Sequence, residues 1–321
     1  MAESSSTPRD LDLLVAGEIN PDIVVNDPDP RPQFGQRERF VAAIRLAIGS
    51  SSVITACGAA RLGLRVAMAG VVGDDALGRF MLEAMAERGL DTTACRVHPA
   101  LPTGASVILG NGTDRAILTS RGTVGELRAA DVPAAMLARA RHLHIGSYFI
   151  QAPAWPELLA LARTSRATGL TISVDPNWDP SGTWDGGLKA IASESDVLLP
   201  NAAEACHLAG LDGPERAALA LARGAARPVV VVKLGAQGAL AATPQGAVVR
   251  VPALPVEPVD TTGAGDSFDA GFLAAWLEGR DLAACLRFAV ACGSLSTLGV
   301  GGTDAQPTRA EVEAVLTRER P

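Results

Sequence analysis

DTTGAGDSFDAGF, residues 260–272, decides the reading of this chain. Three small residues, Gly263, Ala264 and Gly265, let a backbone come close to an anion. A carboxylate, Asp266, follows at once, where it would repel that anion. Beyond it, Phe268, Phe272 and Trp276 recur at i, i+4 and i+8, with Leu273 and Leu277 alongside, the pattern of an amphipathic helix starting near Asp266. The small residues therefore sit at a helix N-terminus, where unpaired amides and the positive end of the dipole make an anion hole. On spacing alone, a tight turn with Asp266 as its N-cap competes evenly with that reading.

Other glycine motifs fail. Lys189 is followed by Ala190 and Lys233 by Leu234, so neither closes a G-x-x-x-x-G-K-[ST] loop. Gly265-Asp266-Ser267-Phe268-Asp269 lacks the last glycine of a nucleophile elbow. GVGG at 299–302 lies too near the C-terminus to open a dinucleotide-binding unit.

The rest of the chain suits one α/β domain. Short apolar runs at 11–17, 65–73, 141–147, 170–176, 196–201 and 228–235 stop at Gly, Pro or Asn, as strands buried between helix layers do. Helical patterns at 78–90, 153–169 and 215–225 alternate with them, which implies parallel pairing and ligands beyond the C-terminal strand ends. Asp260 follows a strand-like run, LPVEPV. Residues 22–48 and 101–122 break the rhythm. The second reads as a hairpin, ASVIL and RAILTS around GNGTD, and the two together predict a small β lid. One domain over 11–321, behind a disordered tail at 1–10, is expected.

Composition narrows the class. With 321 residues, 48% hydrophobic and 20% charged, the chain is ordinary globular material, and a net charge of −7 argues against nucleic-acid or anionic-membrane partners. Five cysteines without a C-x-x-C pair suggest reduced thiols in the cytoplasm. The N-terminus has no signal-peptide pattern and no apolar stretch is long enough to span a bilayer. His142 and His144 share one face of a strand and read as structural.

With these pieces in order, the chain resembles the ribokinase-like, phosphofructokinase-B-type carbohydrate kinases. DTTGAGDSFDAGF resembles the family's C-terminal signature, GEINPDIVV (17–25) its first strand, and GSSSVITACGAARLG (49–63) its sugar loop. GVVGDDALGRFMLEAMAERGLDTT (70–93), PNAAEA (200–205) and KLGAQGAL (233–240) resemble later blocks. The resemblance implies a three-layer α/β/α ribokinase-like fold with a mainly parallel central sheet and a β lid. It implies an ATP-dependent phosphotransferase using Mg2+ and K+. Asp266 would be the general base, with the backbone of Gly263, Ala264 and Gly265 as anion hole. Asn20, Asp22, Gly49, Ser50, Ser51, Tyr148, Asp175 and Asn177 would meet the acceptor. Asn201, Lys233, Gly235, Gly238, Gly263, Gly265 and Cys292 would line the nucleotide site. Glu204 would organise magnesium indirectly, and Asp260, Thr262, Thr297 and Gly302 would hold a monovalent cation.

One departure bears on the substrate. The family's sugar loop reads Gly-Gly and, after three residues, Asn. Here those positions are Gly49, Ser50 and Ile54, which argues against ribose itself and for another polyol, a sugar acid or a nucleoside. Ser50, Ser51 and Ser52 offer hydroxyls in place of the amide. The expected function is phosphorylation of a hydroxymethyl group of a small sugar-like molecule. A nucleoside kinase is the alternative, and a non-catalytic sugar-binding protein on a kinase fold is the reading from another class. The lid also raises a homodimer.

Overall fold

The computed structural model describes residues 9–110, 115–224 and 228–318. A nine-stranded sheet runs through the middle. Its strands are β1 (Leu11–Ala16), β4 (Val66–Gly73), β5 (Asp91–His98), β8 (Ala140–Ile145), β9 (Thr171–Val174), β10 (Val197–Leu198), β11 (Val229–Lys233), β12 (Ala239–Ala242) and β13 (Val248–Val251). Their order is β13-β12-β11-β10-β9-β8-β1-β4-β5, and only the β11/β12 and β12/β13 pairs are antiparallel. Alternate residues feed two cores. Leu13 and Val15 face helices Ser51–Arg61, Ala264–Leu277 and Leu282–Ser296, while Leu14 and Ala16 face helices Trp155–Ala167 and Pro214–Gly224. Both faces are covered, which is why these strands read as apolar runs.

The chain leaves β1 toward β4 and β5, then returns to β8 on the other side. Such a reversal opens a crevice beyond the carboxyl ends of the strands. The second sheet covers it. Its strands are β2 (Pro21–Asn26), β3 (Ala43–Ile48), β6 (Ala105–Gly110) and β7 (Arg115–Ser120), in the order β3-β2-β6-β7. β2/β3 and β6/β7 are antiparallel, whereas β2/β6 is parallel.

Some expectations need correction. LPVEPV makes no strand; the last strand ends at Val251. Three prolines between 252 and 258 remove ladder donors there. The signature helix starts at Ala264, not near Asp266, because Gly263 takes a left-handed backbone (φ 71°) as its N-cap. Strands β5, β12 and β13 and helix Leu282–Ser296 were not foreseen. The tail at 1–10 falls mostly outside the described residues, but Arg9 and Asp10 are tied down by the Thr168 carbonyl and by Arg139. The GNGTD turn also falls outside them apart from Gly110.

Candidate active site

Asp266 is the third residue of its helix and lines a cavity of about 550 Å³ between the sheet edge and the lid. Helix geometry leaves the first-turn amides without intrahelical acceptors. Of these, Ala264 N–H reaches the Thr261 carbonyl at 3.3 Å. Burial first, and then the Asp175 carboxylate, push the Asp266 carboxyl up to about 7, against the pull of Lys233. Gly263 has no room for a side chain, since a Cβ there would lie 2.8 Å from Gly302 and 3.1 Å from Ile54. Ile54, where the family carries Asn, therefore wedges the anion-hole loop from below as well as lining the cavity.

On the acceptor side, Asn20, Asp22, Ser50, Ser51 and Asn177 line the same cavity. Gly49 is bare for a reason: a Cβ would sit 2.2 Å from the Asp22 carboxylate, so that side chain lies against the loop backbone. Ser50 and Ser52 do not offer their hydroxyls to an acceptor. Both reach Glu18, at 2.9 and 2.5 Å. Two expected acceptor contacts are placed elsewhere. Tyr148 is buried, stacks on Trp155 and donates to the Gly186 carbonyl at 2.7 Å, so it fills the core. Asp175 turns inward to Lys233, at 3.1 Å.

Lys233 stands in the buried centre, 2.9 Å from Asp269 and directly under Gly265. Burial works to discharge it, but Asp175, Asp269 and Glu204 outweigh that and keep it an ammonium. Asp269, pushed up by burial, is held in place by the same ammonium. The expected nucleotide contact is thus also the counter-ion of two carboxylates. Gly235 and Gly238 form the left-handed corners of the β11–β12 turn. Cys292 is not brought to the site, because its thiol packs where a Gly271 side chain would be, between two helices of the core.

Asn201 and Glu204 form a capping box: Asn201 accepts from Glu204 N–H at 2.9 Å, and both Glu204 oxygens accept from Asn201. Burial, then Asp175, raise Glu204 to about 7. Among the described residues no group of three or more His, Cys, Asp or Glu is placed to hold a metal. Asp260, Thr262, Thr297 and Gly302 do converge. The Thr297 carbonyl accepts from Val259 and Asp260, and the Asp260 carboxylate accepts from Thr262 and Gly301. Gly302 abuts Gly263. The Asp260 carboxylate and the Thr297 carbonyl are the oxygens that these contacts place, and oxygen donors are what a hard cation takes.

Sequence reasoning missed Glu18, Asp269 and Trp178. Glu18 follows a strand end on the ligand side, and Asp269 is one helical turn beyond Asp266, so position alone could have flagged both.

The three-layer sheet with its lid is the ribokinase-like fold. It matches the solved structure of an E. coli ribokinase II candidate in complex with ATP and Mg2+, with a TM-score of 0.82 at 25% identity over 96% of this chain and 100% of that one. The chain belongs to the family described as pfkB family carbohydrate kinase, whose pattern matches residues 12–309. It is 32% identical to an ATP-dependent ribose-1-phosphate kinase of Halopiger xanaduensis, over 95% of this chain and 98% of the relative. It is 31% identical to a Bacillus subtilis ribokinase over 95% and 99%. It is a sugar kinase. Among the described residues no helix is long and apolar enough to cross a membrane.

Proposed function

We propose that the enzyme transfers the terminal phosphoryl group of ATP to a hydroxymethyl group of a small sugar or sugar derivative, with Asp266 as general base. One observation carries the reading: a carboxyl raised to about 7 stands in the first turn of a helix, beside its amides, at a cavity floored by polar groups. Asp266 takes the acceptor's hydroxyl proton as the new O–P bond forms and the bond to the ADP oxygen breaks. The backbone of Gly263, Ala264 and Gly265 receives the charge on the phosphoryl group, a division of labour suited to a reaction that is mostly positioning and electrostatics.

When bound, magnesium supplies charge neutralisation at the phosphates. Glu204, already bonded to Asn201, would act on it through an intervening oxygen. Asp260, Thr262, Thr297 and Gly302 would hold potassium. Lys233, Gly235 and Gly238 mark the nucleotide side. Asn20, Asp22, Ser51 and Asn177 would hold the acceptor.

A second reading, a nucleoside acceptor, is favoured by one feature. Ile108, Ile117, Ile150 and a half-exposed Trp178 form an apolar wall beside the polar floor, and an indole stacks well on a base.

The lid is proposed to pair with a second copy. Strand register puts Ile23, Val25, Ile44, Leu46, Val107, Leu109 and Leu118 on the face turned away from the cavity residues Asp22, Ser106, Ile108, Ile117 and Thr119. Contiguous exposed apolar surface of this kind marks an interaction site.

The test is ADP release from ATP and Mg2+, with and without K+, over pentoses, hexoses, sugar acids, sugar phosphates, polyols and nucleosides, beside Asp266→Asn. Turnover with one class, lost in the variant, supports the reading. Retention of most activity in the variant refutes Asp266 as base.

A further inference from the structure

We infer that Glu18 is the positioning residue of the acceptor subsite, holding Ser50, Ser147 and Asn177 in the backbone conformations that shape the wall they form with Asp266. This rests on reading the cavity as the acceptor site.

Among the described residues only five non-glycine residues have positive φ, and three of them converge here: Ser50 (φ 69°), Ser147 (φ 50°) and Asn177 (φ 55°). Side chains disfavour that region, and such strain persists only where surrounding structure over-determines it. Glu18 supplies the determination. Its carboxylate, 3% exposed, accepts from Ser147 at 2.8 Å, Ser50 at 2.9 Å and Ser52 at 2.5 Å. Ser147 Oγ in turn accepts from Asn177 Nδ2 at 3.0 Å, and that amide reaches Ser51 Oγ at 3.4 Å. Ser51 bonds to Asp266. Asn177 Oδ1 accepts from Trp178 N–H at 2.6 Å. One buried carboxylate is therefore linked by hydroxyls and one amide to the candidate base and to the backbone that carries the Trp178 indole at the cavity wall.

The backbone makes room for this knot. A Cβ on Gly17 would lie 2.0 Å from Ser52 Oγ, and one on Gly146 2.4 Å from it. The Glu18–Ser147 bond also spans from β1 to β8, where the strand order reverses. A well-packed apolar residue is usually no worse for stability than a buried ionisable group, so stability alone gives little reason for Glu18. Burial pushes its carboxyl up, against the three serine hydroxyls.

The test uses the full chain, with Glu18→Gln and Ser147→Ala, each also made in a Trp178→Phe background. D-ribose and D-fructose serve as acceptor probes. Folding is checked by thermal melting. In the folded variants we expect the KM for the acceptor to rise about 10- to 100-fold, since a misplacement of about 1 Å costs on the order of 10²-fold. The KM for ATP should stay unchanged, and acrylamide quenching of the Trp178 fluorescence should increase. An unchanged acceptor KM with unchanged quenching overturns the inference. So does a parallel rise in the KM for ATP, which would mean general loosening. If Glu18→Gln does not fold, Ser147→Ala alone decides, because it removes the one hydroxyl that joins Glu18 to Asn177 and leaves Ser50 and Ser52 on the carboxylate. If neither probe turns over in the wild type, those acceptors are excluded for the proposed function, and the quenching of Trp178 still decides the role of Glu18.

Discussion

The central sheet and the lid sheet treat polar side chains in opposite ways. At the carboxyl edge of the central sheet they are buried and bonded to one another. Lys233 pairs with Asp175 and Asp269, and below them His142, Ser173 and His144 form a hydrogen-bonded ladder. Burial, the first cause in each case, depresses His142 to about 3 and His144 to about 4, so both stay neutral near pH 7. The lid instead turns Asp22, Ser106 and Thr119 into the cavity and leaves Ile44 and Leu118 64% and 63% exposed outside. The difference teaches that the proposed base stands beside the buried edge, where charge is compensated in place, while the lid contributes cover and an outward surface.

The largest expected effect lies beside the central sheet. Asp266→Asn should lower turnover by about 10²- to 10⁴-fold, the usual worth of a general base, with the fold kept. A general base works ionised, and burial pushes the Asp266 carboxyl up to about 7. Wild-type kcat/KM for the acceptor should therefore rise with pH through about 7 and level off above it. A profile flat from pH 5 to 8 would remove Asp266 from the proton transfer.

Next comes the buried cluster. Lys233→Met leaves Asp175 and Asp269 without their cation, and breaking a buried pair from one side typically costs about 3–5 kcal/mol. The sign of its pH dependence follows. Without the ammonium, both carboxyls should hold their protons in the folded state to a pH above the unfolded value. Folded-state binding of extra protons favours the native state at low pH, so the deficit should grow from pH 5 to pH 8 in urea unfolding. A deficit independent of pH would show that packing, not charge, accounts for the loss.

The contrast between the sheets also explains what the sequence made legible. Central strands are apolar on both faces and were readable as runs, and Gly263 to Asp266 was readable because helix period and small residues coincide. The capping pair Asn201 and Glu204 and the converging Asp260, Thr262, Thr297 and Gly302 came from the family pattern rather than from spacing. Tyr148 and Cys292 misled, since a residue's place near a motif does not say which way its side chain points. Glu18 escaped notice because its importance depends on Ser147 and Asn177, more than a hundred positions away, which only the β1–β8 crossing brings to it. The serines at 50 and 52 seemed to replace a sugar-binding amide for the same reason.

Tyr148 gives a smaller effect that sharpens the line between core and cavity. Tyr148→Phe loses one hydrogen bond, to the Gly186 carbonyl, worth about 0.5–1.5 kcal/mol. The stacking on Trp155 stays. Urea unfolding should register the loss while the acceptor KM does not move. A raised acceptor KM would bring Tyr148 back into the site.

The smallest energetic effect is expected on the lid's outer face. Ile44 and Leu118 touch little within the chain, and surface substitutions away from special features usually change stability by no more than about 0.5 kcal/mol. The pair Ile44→Lys and Leu118→Lys should therefore melt like the wild type. If the outer faces of two lids pack together, four ammonium groups would be forced into that contact, and burying unpaired charge is costly. Light scattering on a sizing column should then read a dimer for the wild type and half that mass for the variant. The inner face is unchanged by these substitutions, so activity lost together with the dimer would mean that the lid needs its partner to hold Asp22 over the cavity. Activity kept by a monomeric variant would confine the pairing to assembly. A wild type that is already monomeric would leave the apolar face without a second copy, and would refute the pairing.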